Sequence, residues 1–369
     1  MRSIRFLTVG VVLLYCVQTT AYAQTAQNGN SFEGSMGSLA MDAAKNYVNP
    51  IVSGFGSDLN GGWFHRAPSA TMFGFDLEFG AVGMATFFKD EVKTFDSNVD
   101  FKFDNTQATT LANMADYTSV PVAFRPQAKQ AVINGIAGVT FNVDMSGPTI
   151  AGSKTDTVKV KFASRTISTA YGSVNVPQYV FPTGVTGIMG DVKFVPLGAP
   201  QLTIGTVLGS QFTFRYLPSV NNSDFGKVTY FGWGIQHNPG IWFGGVDALP
   251  FDISASFFTQ KLKIGNIVET KATAFGVNAS KRLGWGFLNL TPYAGFMLES
   301  STMTFAYTLT SPGPGGVGTI QTPVNFDLQS ANKSRLVLGL SFKLLIVNVN
   351  ADYNFGKYNS ATAGVMIII

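Results

Sequence analysis

The feature that most constrains this chain is a period-two alternation of apolar and polar residues that recurs over much of its length while charge stays scarce. Between Arg335 and Lys343 the apolar positions are Leu336, Leu338, Leu340 and Phe342, alternating with Arg335, Val337, Gly339, Ser341 and Lys343. Val347, Val349, Ala351, Tyr353 and Phe355 then alternate with Asn348, Asn350, Asp352 and Asn354, and Ala361, Ala363, Val365, Ile367 and Ile369 share one face of the last segment. Phe73–Phe79, Phe212–Tyr216, Phe231–Ile235, Phe251–Phe257 and Leu288–Leu298 repeat the pattern. Side chains alternate across a strand but recur every three or four residues along a helix, so these segments are strands with one apolar face.

A two-sheet sandwich has the same period, but its outward face is the polar one and carries charge. Here charged residues make up 12% of the chain, about half the usual quarter. Glycine (40), phenylalanine (32) and tyrosine (12) are abundant, and no segment beyond residue 23 is long and apolar enough to span as a helix. A barrel in lipid needs an apolar outer face, aromatic girdles and tight turns. The expected fold is therefore all-β: a transmembrane antiparallel up-and-down barrel of about 14 strands, within a range of about 12 to 14, preceded by a short helical segment. Strands are expected near 72–87, 138–145, 157–166, 188–195, 200–208, 210–217, 227–237, 251–262, 269–281 and 287–298, with the rest toward the C-terminus. Placing both chain ends on the periplasmic side makes 310–333 an extracellular connection and 299–301 and 344–347 periplasmic turns. The turn at Gly209-Ser210 is then shorter than its extracellular assignment suits.

Arg2 and Arg5 precede an apolar run from Phe6 to Val17, and Ala21-Tyr22-Ala23 fits a small-x-small cleavage rule. The run is too short to span a bilayer, so residues 1–23 read as a signal peptide cleaved after Ala23, with export to the outer membrane. Cys16 is the only cysteine, so the exported chain is expected to contain no disulfide or thiolate. The net charge of +4 falls to +2 without the two leader arginines, and no basic run occurs, which excludes nucleic acid as a partner. The partners expected instead are outer-membrane lipids, the barrel-assembly machinery and a small solute.

Two regions do not read as barrel strands. Within 24–70, Leu39, Ala43, Ala44 and Tyr47 have helical spacing, and Asn49-Pro50 is expected to end that helix. A lumen enclosed by about 14 strands is too wide for side chains alone to fill. Leu39, Tyr47, Trp63, Phe64 and His65 are accordingly candidates for a plug hinged at Gly61-Gly62. The alternative is a periplasmic helix lying on the membrane. Residues from about 88 to 137 read as an irregular insertion, with a short helix around Pro126–Ile133. The barrel itself is assigned 71–369.

The stretch Tyr47 to His65 (YVNPIVSGFGSDLNGGWFH), with Phe73 to Leu77 (FGFDL), Phe214 to Pro218 (FRYLP) and Gly232 to His237 (GWGIQH), resembles an uncharacterised family of predicted outer-membrane barrels over most of the chain. That resemblance implies architecture and no mechanism. More loosely, the chain is similar to long-chain fatty-acid transporter barrels, which implies about 14 strands with an N-terminal plug, although their N-terminal motif is not clearly present.

Catalytic signals are few. His65 and His237 are the only histidines, in no His-x-x-His or Glu-x-x-His spacing, and no serine follows His237 two residues on. No catalytic residue, metal ligand or cofactor site is expected, and the chain reads as a channel or transporter for small solutes and not an enzyme. A structural or adhesive barrel is the alternative, and a lipid hydrolase a third. Parity places Asp76, Glu78, Arg215, Asp252, Glu299, Arg335, Lys343 and Asp352 on the lumen side, with Lys159 and Lys161. Such residues either line a pore or form ion pairs that stiffen a closed one.

Overall fold

The computed structural model describes residues 41–190, 192–222, 226–244, 249–312 and 319–369; the leader and Leu39 lie outside the described residues. In chain order come helix α1 (Met41–Asn60) and strand β1 (Phe73–Phe87), then an insertion. The insertion holds β2 (Thr94–Lys102), α2 (Asn105–Met114), α3 (Arg125–Ile136), β3 (Thr140–Pro148), β4 (Lys159–Phe162), β5 (Arg165–Thr169), β6 (Gly172–Val176) and β7 (Tyr179–Pro182). There follow β8 (Phe194–Val207), β9 (Ser210–Asn222), β10 (Gly226–His237), β11 (Asp252–Ile264), β12 (Val268–Ser280), β13 (Leu283–Trp285), β14 (Leu288–Pro312), β15 (Thr319–Gln329), β16 (Ser334–Leu344), β17 (Val347–Phe355) and β18 (Ser360–Ile368).

Ten of these strands close into an antiparallel barrel, in the order β1, β8, β9, β10, β11, β12, β14, β16, β17, β18 and back to β1. The wall therefore has ten strands rather than about 14, for three reasons. The segments expected at 188–195 and 200–208 are a single strand, β8. The segments expected at 138–145 and 157–166 are β3 and β4 of the insertion. No turn exists at 299–301: β14 runs on through it, its far half pairs with β15, and its near half pairs with β16. Removing that turn also puts Leu208-Gly209 at the same end as Leu345-Ile346, and Gly209 adopts φ 66° there after Leu208 at φ 50°, the left-handed pair a two-residue hairpin requires. This short-turn end also holds the start of β1 and the end of β18; the other end carries the β14–β15 hairpin.

The chain divides into two compact units, the barrel unit with Asn49–Lys89 and Val192–Ile369, and a second with Asp90–Asp191 and the residues up to Val48. The second unit extends well past the expected limit near 137. Its four-stranded sheet runs β2-β3-β4-β7, around a core that includes Phe103, Phe141, Phe162 and Phe181. Asp104 caps α2: its side chain accepts from the Gln107 N–H at 2.8 Å, and the Gln107 side chain accepts from the Asp104 N–H at 3.0 Å. Along β3, Phe141, Val143 and Met145 are buried while Thr140, Asn142 and Asp144 are exposed. The period matches the barrel's, but the polar residues face out.

In the barrel the sense is inverted. Leu336, Leu338, Leu340 and Phe342 are exposed, whereas Arg335 and Ser341 are buried; Val347, Val349, Tyr353 and Phe355 face out, with Asn348, Asn350, Asp352 and Asn354 within. Ten strands about 4.8 Å apart and tilted ~40° make a wall roughly 20 Å across, which leaves room for one chain segment about 10–12 Å wide. That segment is the end of α1 and its continuation to residue 72. Its neighbours come from strands all round the wall: Asp58 meets Thr86, Ser57 meets Ser360, Asn60 meets Gln260, Trp63 meets Phe258, Ala67 meets Ser280. α1 does not stop at Pro50. It continues to Asn60 because Val52 and Leu59 are fully buried, and tertiary packing outweighs the hydrogen bond that a proline removes. Pro50 stands where the two units join in sequence.

The wall thins where the segment is widest. A Cβ at Gly295 would lie 2.6 Å from Phe64 Cζ, and one at Gly232 2.9 Å from Trp63 Cη2. Gly295→Ala and Gly232→Ala should each destabilise the barrel by about 1–3 kcal/mol through overpacking. Gly286→Ala, with nothing within 4 Å, should be neutral. The temperature at which the compact band disappears in a heat-modifiability gel measures this.

Candidate functional site

The interior is organised around the place where α1 ends inside the barrel. The last four carbonyls of a helix have no partner within it, and here the residues that carry them, Ser57 to Asn60, are buried. Ser57 carbonyl accepts from Arg335 Nη2 at 2.9 Å, Asp58 carbonyl from Gly61 N–H at 2.9 Å, and Leu59 carbonyl from Trp63 Nε1 at 2.9 Å. Beyond the helix, Arg215 donates from Nη1 to Gly61 carbonyl at 2.9 Å and from Nη2 to Gly62 carbonyl at 2.5 Å. Its Nε donates to Gln201 Oε1 at 2.9 Å, and its guanidinium lies 4.1 Å over the Trp63 ring. Two guanidinium charges thus meet the negative end of the helix dipole, and a planar fork can hold two carbonyls at once where a lysine cannot.

Arg335 is also paired with Glu299, its Nε 2.9 Å from Glu299 Oε2, and both side chains are buried. A second ionic group lies toward the short-turn end. Arg66 binds Asp76 at 2.6 Å and Glu78, and His65 Nε2 lies 3.2 Å from Glu78 Oε2. Asp352 accepts from Tyr293 at 2.9 Å, Thr362 at 2.5 Å and Asn354 at 2.6 Å. Between the two groups, Trp63 stacks on Phe258 with centroids 5.0 Å apart, and Phe64 meets Tyr293 edge-on at 6.0 Å. The gap that Trp63, Phe64, His65 and Arg66 leave against Gln201, Thr203, Gln211, Thr213 and Gln236 is too narrow for a water molecule.

Of the lumen-side candidates, Glu78, Arg215, Glu299, Arg335 and Asp352 are buried inside the wall, while Asp76, Asp252 and Lys343 are partly exposed. Asp252 accepts from Asn238 at 3.2 Å. Lys159 and Lys161 belong to the second unit and are not in the lumen, since β4 is a strand of its small sheet. Trp63, Phe64 and His65 lie within the barrel, but Tyr47 does not: it belongs to the second unit, where its hydroxyl donates to Thr186 carbonyl at 2.8 Å. Sequence reasoning missed Arg66 and Asp58, whose only signal is a charge inside an otherwise small and aromatic stretch.

It missed Ser210 as well. His237 does face a serine, on the neighbouring strand: Ser210 Oγ lies 3.0 Å from His237 Nδ1, and Trp242 Nε1 donates to His237 Nε2 at 3.0 Å. An indole N–H only donates, so Nε2 is the acceptor and the ring proton sits on Nδ1. In this arrangement His237 donates to Ser210. Among the described residues, no group of three or more His, Cys, Asp or Glu side chains is placed to hold a metal ion.

The model of one protein family matches the chain over residues 1–369. The chain belongs to DUF6588, a family of unknown function. For this member no curated protein matches. Solved structures similar to it include a loop L8 deletion form of OmpT, an outer membrane protein of Vibrio cholerae, at 11% identity over 80% of this chain and 99% of that one, with a TM-score of 0.23. The β domain of the Bordetella autotransporter BrkA follows at 10% identity over 78% and 98%, with a TM-score of 0.18. OccK1 of Pseudomonas aeruginosa is 9% identical over 80% and 98%, with a TM-score of 0.12. Superpositions this loose carry no argument; the barrel of this DUF6588 protein rests on its own strand pairing. Its ten strands do not support the likeness to long-chain fatty-acid transporters, which called for about 14.

Arg335→Met should cost about 3–5 kcal/mol, because it strands Glu299 as a buried charge and leaves the Ser57 carbonyl without a donor. Adding Glu299→Gln should recover part of that loss. Urea unfolding midpoints of the single and double variants measure both effects.

Proposed function

We propose that this protein is a barrel of the bacterial outer membrane whose lumen is closed at rest by residues 49–72 and which passes small polar solutes when that segment shifts. The observation that carries the membrane part is the sense of the alternation: a closed wall with leucine, phenylalanine and valine outside and asparagine, serine and threonine within. Water outside would reverse it, whereas lipid demands it. Leu336 to Leu344 covers roughly 26 Å along its strand at about 3.3 Å per residue, a vertical rise of ~20 Å at a tilt of ~40°. Exposed Trp242, Phe243, Trp285 and Phe287 continue the apolar surface around the short-turn end, as aromatic girdles do.

The gated part draws support from the way residues 49–72 are held. They are tied by directional polar contacts to Arg215, Arg335 and Glu78 as well as by aromatic packing, and polar contacts can be exchanged for water when a segment moves. The buried ion pairs equally suit a second reading, in which the barrel never opens and serves as an anchor for the second unit. Conductance separates the two. In planar bilayers the intact protein should be nearly silent. The double variant Arg215→Gln/Arg335→Gln, and a chain lacking residues 24–66, should each conduct severalfold more. If both assemble into barrels and stay silent, the anchor reading holds and transport fails.

We propose further that the protein is not a hydrolase, on the strength of the proton held at His237 Nδ1. Purified protein should leave phospholipid uncleaved, and His237→Ala and Ser210→Ala should change nothing. Cleavage that disappears in both variants would overturn this.

A further inference from the structure

Three neighbouring strands carry lysines on the outer wall at the end away from the short turns. Lys227 on β10, Lys261 and Lys263 on β11 and Lys271 on β12 are all exposed, and they share the outward parity of Phe231, Phe257 and Phe275 on those strands. The register gathers them into one patch. Lys261 pairs with Phe231 on one side and with Lys271 on the other, and Lys263 pairs with Thr229 and Glu269. Gly265 N–H donates to the Lys227 carbonyl at 3.0 Å, which brings the fourth lysine alongside. Among the described residues of this face Glu269 is the sole carboxylate, 2.8 Å from Lys261 Nζ and 3.4 Å from Lys271 Nζ. Lys227 and Lys263 have no carboxylate partner there.

Like charges directly opposite on adjacent strands repel. Four lysines sharing one carboxylate are therefore poorly arranged for the barrel's own stability and well arranged to meet an anion. Their position selects which anion. Phe231 lies level with Lys261 and Trp233 level with Thr259, and beyond the outward Thr259 and Thr273 toward the short-turn end Phe257, Phe275 and Val277 are exposed. Trp233 and Phe257 lie 5.8 Å apart, ring to ring. A compact ammonium on a long stem suits a phosphate oxygen, and the aromatic surface beside it suits acyl chains. A free anion would use only the first half of this surface, while a phospholipid uses both.

We propose that Lys227, Lys261, Lys263 and Lys271 form a docking site for the phosphate group of a membrane lipid, its acyl chains lying along Phe231, Trp233, Phe257 and Phe275. The site rests on the membrane reading above and deepens it by naming a lipid partner. The test is native mass spectrometry of the detergent-purified full chain, with phosphatidic acid and phosphatidylcholine as probes. The wild-type protein should retain phosphatidic acid severalfold over phosphatidylcholine. Replacing the four lysines by glutamine (Lys227→Gln, Lys261→Gln, Lys263→Gln, Lys271→Gln) should abolish the preference, and replacing them by arginine should keep it, with the heat-modifiable band unchanged in both. The proposal is overturned if the wild type has no preference, if the glutamine variant keeps it, or if the arginine variant loses it. Inorganic phosphate at the same concentration should not displace the lipid; displacement means the patch takes a free anion, and the lipid assignment fails. Flotation with vesicles of phosphatidylcholine alone reports the membrane reading separately, since a neutral lipid makes no demand on the lysines.

Discussion

A helix that ends in water finds donors for its last carbonyls at no cost, but α1 ends inside a barrel. Much of the interior follows from that. Arg335 and Arg215 are buried where few arginines are found, and each is held there by backbone oxygens to which it donates. Their charges favour the helix terminus, and Glu299 completes one of them. Such a network is favourable only while complete, because a buried polar group that loses its partner carries its full desolvation cost.

The narrowness of a ten-stranded wall imposes the second constraint. Room for one chain segment means that inward residues opposite its large side chains must be small, and glycine at 232 and 295 admits Trp63 and Phe64. Around Leu59 the inward positions are apolar, with Val82, Met84, Leu197, Tyr230, Leu262 and Met366 packed together, and many of the others are serine, threonine and asparagine, which bond one another: Asn348 to Ser341, Ser254 to Asn278, Thr203 to Thr213. Outside, the wall is apolar except for the lysine patch of β10, β11 and β12. The abundance of glycine and phenylalanine, and the scarcity of charge, describe this one cross-section.

Much of the barrel was legible because period two is a local property and the low charge set its sense. Both the outward face of β16 and the buried polar face of β17 could be read residue by residue. The strand number could not, because β3 and β4 alternate just as regularly; only burial reveals that Phe141 and Val143 point to a core and Asn142 and Asp144 to solvent. The turn expected at 299–301 failed for a related reason. Glu299, Ser300 and Ser301 look like a break, yet Glu299 is buried against Arg335 and Ser301 faces α1 at Gly56.

Taken alone, the sequence determined the two-faced strands, the lumen-side parity of Arg215, Glu299, Arg335 and Asp352, and the presence of an aromatic segment ahead of the first strand, since each depends on spacing within a few residues. Only the tertiary structure decided what these parts do together. Strand closure fixed ten staves and hence a lumen one helix wide. That width carried α1 through Pro50, because buried contacts along Val52 to Leu59 outweigh a local helix stop. Register brought Ser210 to His237 across two strands and the lysines of β10, β11 and β12 into one patch. These pairings join residues far apart in the chain, and local spacing carries no information about which strands become neighbours.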